Sequence, residues 1–194
     1  MDGEDCVICQ ASDVRLLGRH NLLNVLAASV LASVAGVPLA AIQQAATTFT
    51  GVEHRLELVR ELNGTRWYDD SIATAPERSL AALRSFEEPI LLLAGGRDKK
   101  LPWDEFARET AQRVRQLVTF GEAGPMIARV VEQQQRGRLE GITQVETLEE
   151  AVAAAARLAR SGDIVLLSPG GTSFDAFCDF AARGDKFKAL VELL

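Results

Sequence analysis

Cysteine and histidine, which build zinc sites and many nucleophilic catalytic centres, are scarce in this chain. It has three cysteines and two histidines in 194 residues. Cys6 and Cys9 form a lone C-x-x-C with no second pair nearby, whereas a structural zinc site needs about four ligands. The apolar residues around the pair predict a strand. The pattern therefore favours reduced, structural cysteines in a cytoplasmic protein over a metal or redox site.

Two glycine-rich nucleotide signatures are also absent. Without G-x-G-x-x-G, a dinucleotide-binding oxidoreductase is disfavoured, and without G-x-x-x-x-G-K-[ST] the chain lacks the strongest phosphate clamp. The net charge of −6 argues against nucleic acid and anionic membranes as partners. The acidic N-terminus lacks the apolar core of a secretory signal. Gly36 and Pro38 interrupt the apolar stretch 22–41, which favours two short buried helices over a membrane span.

What the sequence does have is ordinary globular composition, 47% hydrophobic and 25% charged residues, which is enough for a sizeable core. Short strands are expected within residues 1–17. Helical spacing predicts helices over 21–35, with Asn21 as the N-cap, and over 38–49. A linker follows near residues 50–55. The first 51 residues are too few for a good core of their own, and they are interpreted as the end of a preceding domain.

After residue 55 the pattern changes to strands alternating with helices. Strands are predicted at 56–60, 65–69, 89–94, 117–120, 141–145 and 164–167. Helices are predicted at 76–86, 102–116, 125–135, 148–160, 173–180 and 185–193. Asn63-Gly64 between the first two strands is a strong hairpin signal. This alternation predicts an α/β, Rossmann-like domain over residues 52–194, with a mainly parallel sheet covered by helices on both faces.

Three polar or glycine-rich loops follow strands of this sheet, at residues 69–74, 95–100 and 168–173. Ligands of open parallel sheets bind beyond the carboxyl ends of the strands, so the loops should share one edge. Thr172 or Ser173 would cap a helix whose free N–H groups hold an anion. Lys99 would add charge and Thr74 a hydroxyl, while Asp70 would accept ribose hydroxyls. The same residues also fit simpler roles as turns, helix caps and solvated lysines.

Five segments resemble motifs of the Mur ligase family. Residues 18–28 resemble G-x-H-N-x-x-N-x-x-A-A, 49–55 resemble F-x-G-x-x-H-R, 70–74 resemble D-S-K-A-T and 95–99 resemble G-G-x-x-K. Residues 166–187 resemble L-L-S-P-x-x-x-S-x-D-x-F-x-x-F-x-x-R-G-x-x-F, the long closing motif of the glutamate-adding branch. The resemblance covers nearly the whole chain.

The resemblance implies the C-terminal portion of an ATP-dependent ligase of peptidoglycan synthesis. Such an enzyme joins D-glutamate to UDP-N-acetylmuramoyl-L-alanine through an acyl phosphate. ATP and Mg²⁺ are the implied cofactors, with most Mg²⁺ ligands in a part that precedes this chain. Residues 1–51 would be the end of the central ATP-binding domain, and residues 52–194 would be the Rossmann-like, glutamate-binding domain.

The resemblance also implies roles for individual residues. Asn21 and Asn24 would face adenine, Arg55 the phosphates and Asp70 the ribose. The carboxylates of the glutamate substrate would be bound by Thr74, Lys99, Ser173 and the backbone near Phe180. Arg55 and Lys99 are the candidate catalytic residues, and no metal-ligating residue is assigned.

The chain departs from the family pattern at Ile72, where D-S-K-A-T has lysine. The loss of this cation leaves the isomer open, so an L-glutamate-adding variant is an alternative. A UDP-binding domain, a P-loop and the central metal ligands are missing from these 194 residues. We therefore expect that the chain alone does not form the amide bond. A stand-alone module that binds an acidic amino acid or a nucleotide is the alternative from another functional class.

Overall fold

The computed structural model describes residues 6–194, and the chain divides into two compact units, Met1–Val52 and Glu53–Leu194. The division falls one residue from the boundary expected from the sequence. The assignment of the first unit to an ATP-binding domain stays a prediction.

The first unit is helical. It contains a short 3-10 helix, Ala11–Asp13, followed by α1, Arg19–Val34, and α2, Leu39–Thr48. The strand predicted around Cys6 and Cys9 is wrong for residues 6–17, because no neighbouring strand pairs with this segment there. Predictions for residues 1–5 lie outside the described residues. Within residues 6–194, no helix is long and apolar enough to cross a membrane.

Helix α1 begins earlier than predicted. Gly18, at φ 86°, is the N-cap, and it allows the chain to turn into the helix three residues sooner than an N-cap at Asn21 would. Asn21 lies inside the first turn, where its side-chain amide donates to Leu17 O at 2.8 Å. The prediction that Asn21 caps the helix was therefore wrong.

The second unit is built on a six-stranded sheet. Its strands are β1 Glu57–Leu62, β2 Thr65–Asp69, β3 Ile90–Gly95, β4 Val114–Phe120, β5 Gly141–Gln144 and β6 Ile164–Gly170. They lie in the order β1-β2-β6-β3-β4-β5. The β1–β2 pair is antiparallel and is joined at Asn63-Gly64, whereas every other neighbouring pair is parallel. The predicted α/β class with a mainly parallel sheet is confirmed.

Five helices cover the two faces of this sheet. They are α3 Pro76–Leu83, α4 Asp104–Arg113, α5 Gly124–Glu132, α6 Leu148–Leu158 and α7 Phe180–Glu192. Strands β3 and β6 are buried along their whole length, as their continuous apolar runs predict. Leu91 and Leu93 of β3 pack in one cluster with residues of α6 and with Phe187 and Val191 of α7. The sheet is thereby fixed as a rigid platform for the loops at its ends.

The segment after β6 differs from the sequence-based expectation. Residues 171–179 form turns and bends, so the predicted helix over 173–180 is wrong. The carbonyl of Ser173 accepts bonds from Ala176 and Phe177, but the turn does not continue. Asp179 caps α7 instead, because its carboxylate accepts from the Ala182 N–H at 2.7 Å. An anion-binding helix N-terminus at Thr172 or Ser173 is therefore ruled out.

Candidate functional site

The loops that follow β2, β3 and β6 lie side by side, because these strands are neighbours in the sheet. Backbone bonds join the loops to one another. The N–H of Gly170 donates to Ala73 O at 2.9 Å. Arg97 and Thr172 exchange two backbone bonds of 2.8 and 2.9 Å. We call the edge formed by residues 70–74, 95–100 and 168–173 the loop rim.

Lys99 and Thr74 meet on this rim although they come from different loops. The Lys99 Nζ donates to the Thr74 Oγ1 at 3.1 Å. Lys99 is exposed and Thr74 is half-buried, so the pair is open to solvent. An ammonium beside a hydroxyl provides two donors for a carboxylate or phosphate, and the charged donor makes the stronger bond.

The other two residues predicted to bind substrate are both at least partly buried. Ser173 lies on the rim loop after β6, but its side chain is buried, with 2% of the residue exposed. Phe180 is half-buried at the start of α7. Its ring meets the His54 ring edge-on, with centroids 6.0 Å apart. The side chains of Thr74 and Lys99 thus contact each other, whereas Ser173 only lies on the same rim.

Asp70 is buried at the base of the rim. Its carboxylate accepts from the Ser168 hydroxyl at 2.7 Å and from the Leu56 N–H at 3.3 Å. Burial raises the pKa of Asp70 to about 7, although these hydrogen bonds and the charge of Arg55 act in the opposite direction. Arg55 itself is exposed. A cation beside a buried acid is suited to contacts with a phosphorylated sugar.

His54 connects the chain leading into β1 to the end of β2. Its Nδ1 lies 2.8 Å from Asp69 Oδ2, and its backbone N–H donates to Glu57 Oε2 at 2.9 Å. Gly184 packs against this pair so closely that a Cβ there would overlap both side chains. His54 is the histidine of the segment that resembles F-x-G-x-x-H-R, and no role was predicted for it from the sequence. Its backbone at φ 63° shows that the position is held by these contacts.

His54, Glu57 and Asp69 are also the one group of three candidate metal ligands found within residues 6–194. The His54 ring is hydrogen-bonded to Asp69, Glu57 accepts from the His54 backbone N–H, and Lys188 Nζ lies 3.5 Å from Glu57. A nearby ammonium and the histidine–aspartate bond both oppose cation binding. The group therefore does not fit a Mg²⁺ site, which prefers an open set of oxygen ligands.

Arg183 is a buried residue beneath the rim for which no role was predicted from the sequence. It is fully buried, and its guanidinium donates to Ser71 O at 2.9 Å and to Gly171 O at 3.2 Å. Burial lowers its pKa to about 10. The side chain thus ties two loops of the rim together from beneath. The available signal was its helical spacing with Phe187 and Val191, which puts a cation on the buried face of α7.

Asn21 and Asn24 belong to the first unit. The side-chain amide of Asn24 donates to Asn21 Oδ1 at 3.2 Å. Asn21 is buried and Asn24 is exposed, so of the two Asn24 presents its side chain to solvent. Their contact with adenine stays a prediction.

Comparison with known proteins gives consistent results. The family described as "Mur ligase, glutamate ligase domain" matches residues 54–171. A UDP-N-acetylmuramoylalanine–D-glutamate ligase of Acetivibrio thermocellus is 46% identical over 98% of the chain, and one from Roseiflexus sp. is 48% identical over 96%. The chain spans only 42% and 40% of these two relatives.

Solved structures share the fold at lower sequence identity. The UDP-N-acetylmuramate-alanine ligase of Thermotoga maritima has a TM-score of 0.67 at 22% identity, covering 93% of this chain and 39% of that one. A Mycobacterium tuberculosis folylpolyglutamate synthase complexed with ADP and AMPPCP has a TM-score of 0.66 at 16% identity, covering 91% and 41%.

Proposed function

The chain belongs to the Mur ligase family, and from this premise we propose that it is the C-terminal, glutamate-holding part of an ATP-dependent ligase of peptidoglycan synthesis. The complete enzyme would join D-glutamate to UDP-N-acetylmuramoyl-L-alanine. The observation that carries the proposal is the Lys99–Thr74 pair on the loop rim. An exposed ammonium and a hydroxyl from two loops suit the carboxylate of an acidic amino acid.

In this reaction ATP supplies the phosphoryl group that converts the alanyl carboxylate to an acyl phosphate. The amine of glutamate then attacks the acyl carbon, an amide bond forms and phosphate leaves. Lys99 and Thr74 would hold a glutamate carboxylate and thereby orient the amine for attack. Ser173 and the backbone near Phe180 would complete the binding of the two carboxylates.

The proposed nucleotide contacts involve an exposed cation and a buried carboxyl group. Arg55 is exposed and would contact the phosphates, where it would stabilise negative charge that develops during transfer. Asp70 would accept from the ribose through the oxygens that already bind Ser168 and Leu56, since a carboxylate oxygen accepts more than one bond. Asn21 and Asn24 would face adenine. Mg²⁺ would be held by residues that precede this chain.

The most specific part of the proposal is which isomer of glutamate the protein binds. The relatives' names specify D-glutamate. Ile72, half-buried between Asp70 and Thr74, replaces the lysine of the family motif. An apolar side chain here removes one cation from the rim, so an L-glutamate-adding ligase is the alternative. Binding of both isomers to the same protein decides between them.

The test is a titration of the 194-residue chain with D-glutamate and with L-glutamate, followed by NMR. Lys99→Met should weaken binding of the preferred isomer by about tenfold or more, because it removes the charged donor. Lys100→Met is the matched control, since it removes the neighbouring exposed charge and should change the affinity by less than about twofold. Equal losses in both variants would contradict a specific carboxylate contact at Lys99.

A second assay tests whether this chain by itself catalyses the reaction. We expect no glutamate-dependent phosphate release when the chain is incubated with ATP, Mg²⁺, glutamate and UDP-N-acetylmuramoyl-L-alanine, because the sequence contains no G-x-x-x-x-G-K-[ST] motif. The control is a complete ligase under the same conditions. Release of phosphate by the chain alone would refute this expectation.

A further inference from the structure

The loop that carries Lys99 is held in place by its neighbour Asp98. The Asp98 Oδ1 accepts from the Lys100 backbone N–H at 2.9 Å. The same oxygen accepts from the indole Nε1 of Trp103 at 3.0 Å. Lys100 has φ 59°, a conformation that a lysine rarely adopts without such support. One carboxylate oxygen therefore fixes the turn directly after Lys99.

The Trp103 ring is anchored against the rest of the rim. It is 6% exposed and meets Phe106 of α4 edge-on, with centroids 5.1 Å apart. It also packs against Gly170, where a Cβ would lie 2.9 Å from two ring carbons. Gly170 in turn donates to Ala73 O, next to Thr74. A single side chain thus touches the Lys99 loop and the loop that supports Thr74.

We propose that Trp103 is a positioning residue that, through Asp98, sets the distance between Lys99 and Thr74. The inference rests on the proposed function, since it takes this pair to be the carboxylate site. A lysine has a long flexible side chain, and holding its backbone limits the positions that its ammonium reaches. The indole bond therefore preorganises the pair before the ligand arrives, which increases affinity.

Three variants separate positioning from simple packing. Trp103→Phe keeps an aromatic ring but removes the indole donor, so glutamate affinity should fall by about three- to tenfold. Asp98→Ala removes the shared acceptor and should have a similar effect. Asp98→Asn retains an acceptor oxygen and removes a negative charge next to Lys99. It should therefore bind glutamate at least as tightly as the parent chain.

The chain contains its own control, because it has only two tryptophans. Trp67 in β2 is buried and donates its Nε1 to Thr65 Oγ1 at 3.0 Å. Trp67→Phe loses an indole bond of the same kind away from the Asp98 turn. It should leave glutamate affinity unchanged.

The experiment is a glutamate titration of the ¹⁵N-labelled 194-residue chain, read at the two indole N–H signals. The two Trp→Phe variants assign these signals. We expect the Trp103 signal to shift with glutamate and the Trp67 signal to stay fixed. Thermal unfolding of each variant shows whether it remains folded, and if Trp103→Phe does not fold, the Asp98 variants decide.

The outcomes distinguish this inference from the function on which it rests. If the parent chain binds neither glutamate isomer, the proposed function fails. If it binds, but Trp103→Phe and Asp98→Ala bind equally well, only the positioning role is overturned. An Asp98→Asn variant as weak as Asp98→Ala would also overturn it, because the acceptor oxygen would then be irrelevant. Weakening in the first two variants, with Asp98→Asn and Trp67→Phe unaffected, supports it.

Discussion

Asp70→Asn should change how the stability of the second unit depends on pH. The pKa of Asp70 is raised to about 7 by burial, whereas an unfolded aspartate has a pKa of about 3.9. Between these values the folded chain binds more protons than the unfolded chain, so the free energy of unfolding falls as pH rises. At about 1.4 kcal/mol per pKa unit, this single group accounts for a loss of roughly 4 kcal/mol from about pH 4 to about pH 7.

An asparagine at this position fits the surrounding hydrogen bonds. Its carbonyl oxygen accepts from the Leu56 N–H, and its amide faces the Ser168 hydroxyl, which rotates to accept. The variant cannot ionise, so it loses the pH-dependent contribution of Asp70. We expect it to match the parent chain near pH 4 and to be more stable by about 1–4 kcal/mol above pH 7.

The assay is urea unfolding followed by tryptophan fluorescence, from about pH 4 to about pH 8. Both tryptophans lie in the second unit, so the signal reports on that unit alone. Asp104→Asn, at an exposed position in the same unit, is the control and should follow the parent profile. The reasoning is refuted if Asp70→Asn keeps the parent slope with pH, or if it is the less stable protein at the upper end of the range.

Three further substitutions test the packing around the rim and the sheet. The Cβ of Gly184→Ala would overlap the His54 ring, so this variant should lose about 1–3 kcal/mol of unfolding free energy in the same urea assay, despite the better helix propensity of alanine. Gly124→Ala is the control and should be nearly neutral, because the nearest atom to its Cβ is 3.5 Å away. Arg183→Lys cannot reach two loop carbonyls and should lose about 2 kcal/mol by urea unfolding; an unchanged midpoint would contradict the bridging role. Thr147→Ala removes the cap of α6 and should lower stability by about 1 kcal/mol, whereas Thr147→Ser should restore it.

The sheet was predictable because each of its signals is local. The apolar runs in β3 and β6 fit only strands covered on both faces, and Asn63-Gly64 fits a hairpin. The positions of the rim loops then follow from parallel pairing. The end of β6 was not predicted, because Ser168-Pro169-Gly170 has the composition of a loop but continues the strand.

The errors fall where tertiary contacts override local pattern. The segment 173–180 resembles a helix start, yet Asp179 caps the helix instead. The helix predicted over 185–193 begins earlier, at Phe180, and includes Gly184, where His54 and Asp69 leave no space for a Cβ. Arg183 would ordinarily be assigned to the surface, since charged side chains are rarely buried without partners. Its partners are carbonyl groups, which sequence patterns do not reveal.

The backbone bonds that join the three rim loops restrict how the amino-acid site proposed here could be redesigned. A loop transplanted from a relative must reproduce the Gly170–Ala73 bond, the Arg97–Thr172 pair and the carbonyls that Arg183 reaches. Exchanging one loop alone breaks bonds made by the other two, so its effect depends on the partners it meets. Selectivity for a new amino acid would therefore be engineered by replacing all three loops as a set, and combined substitutions in different loops should show strong epistasis.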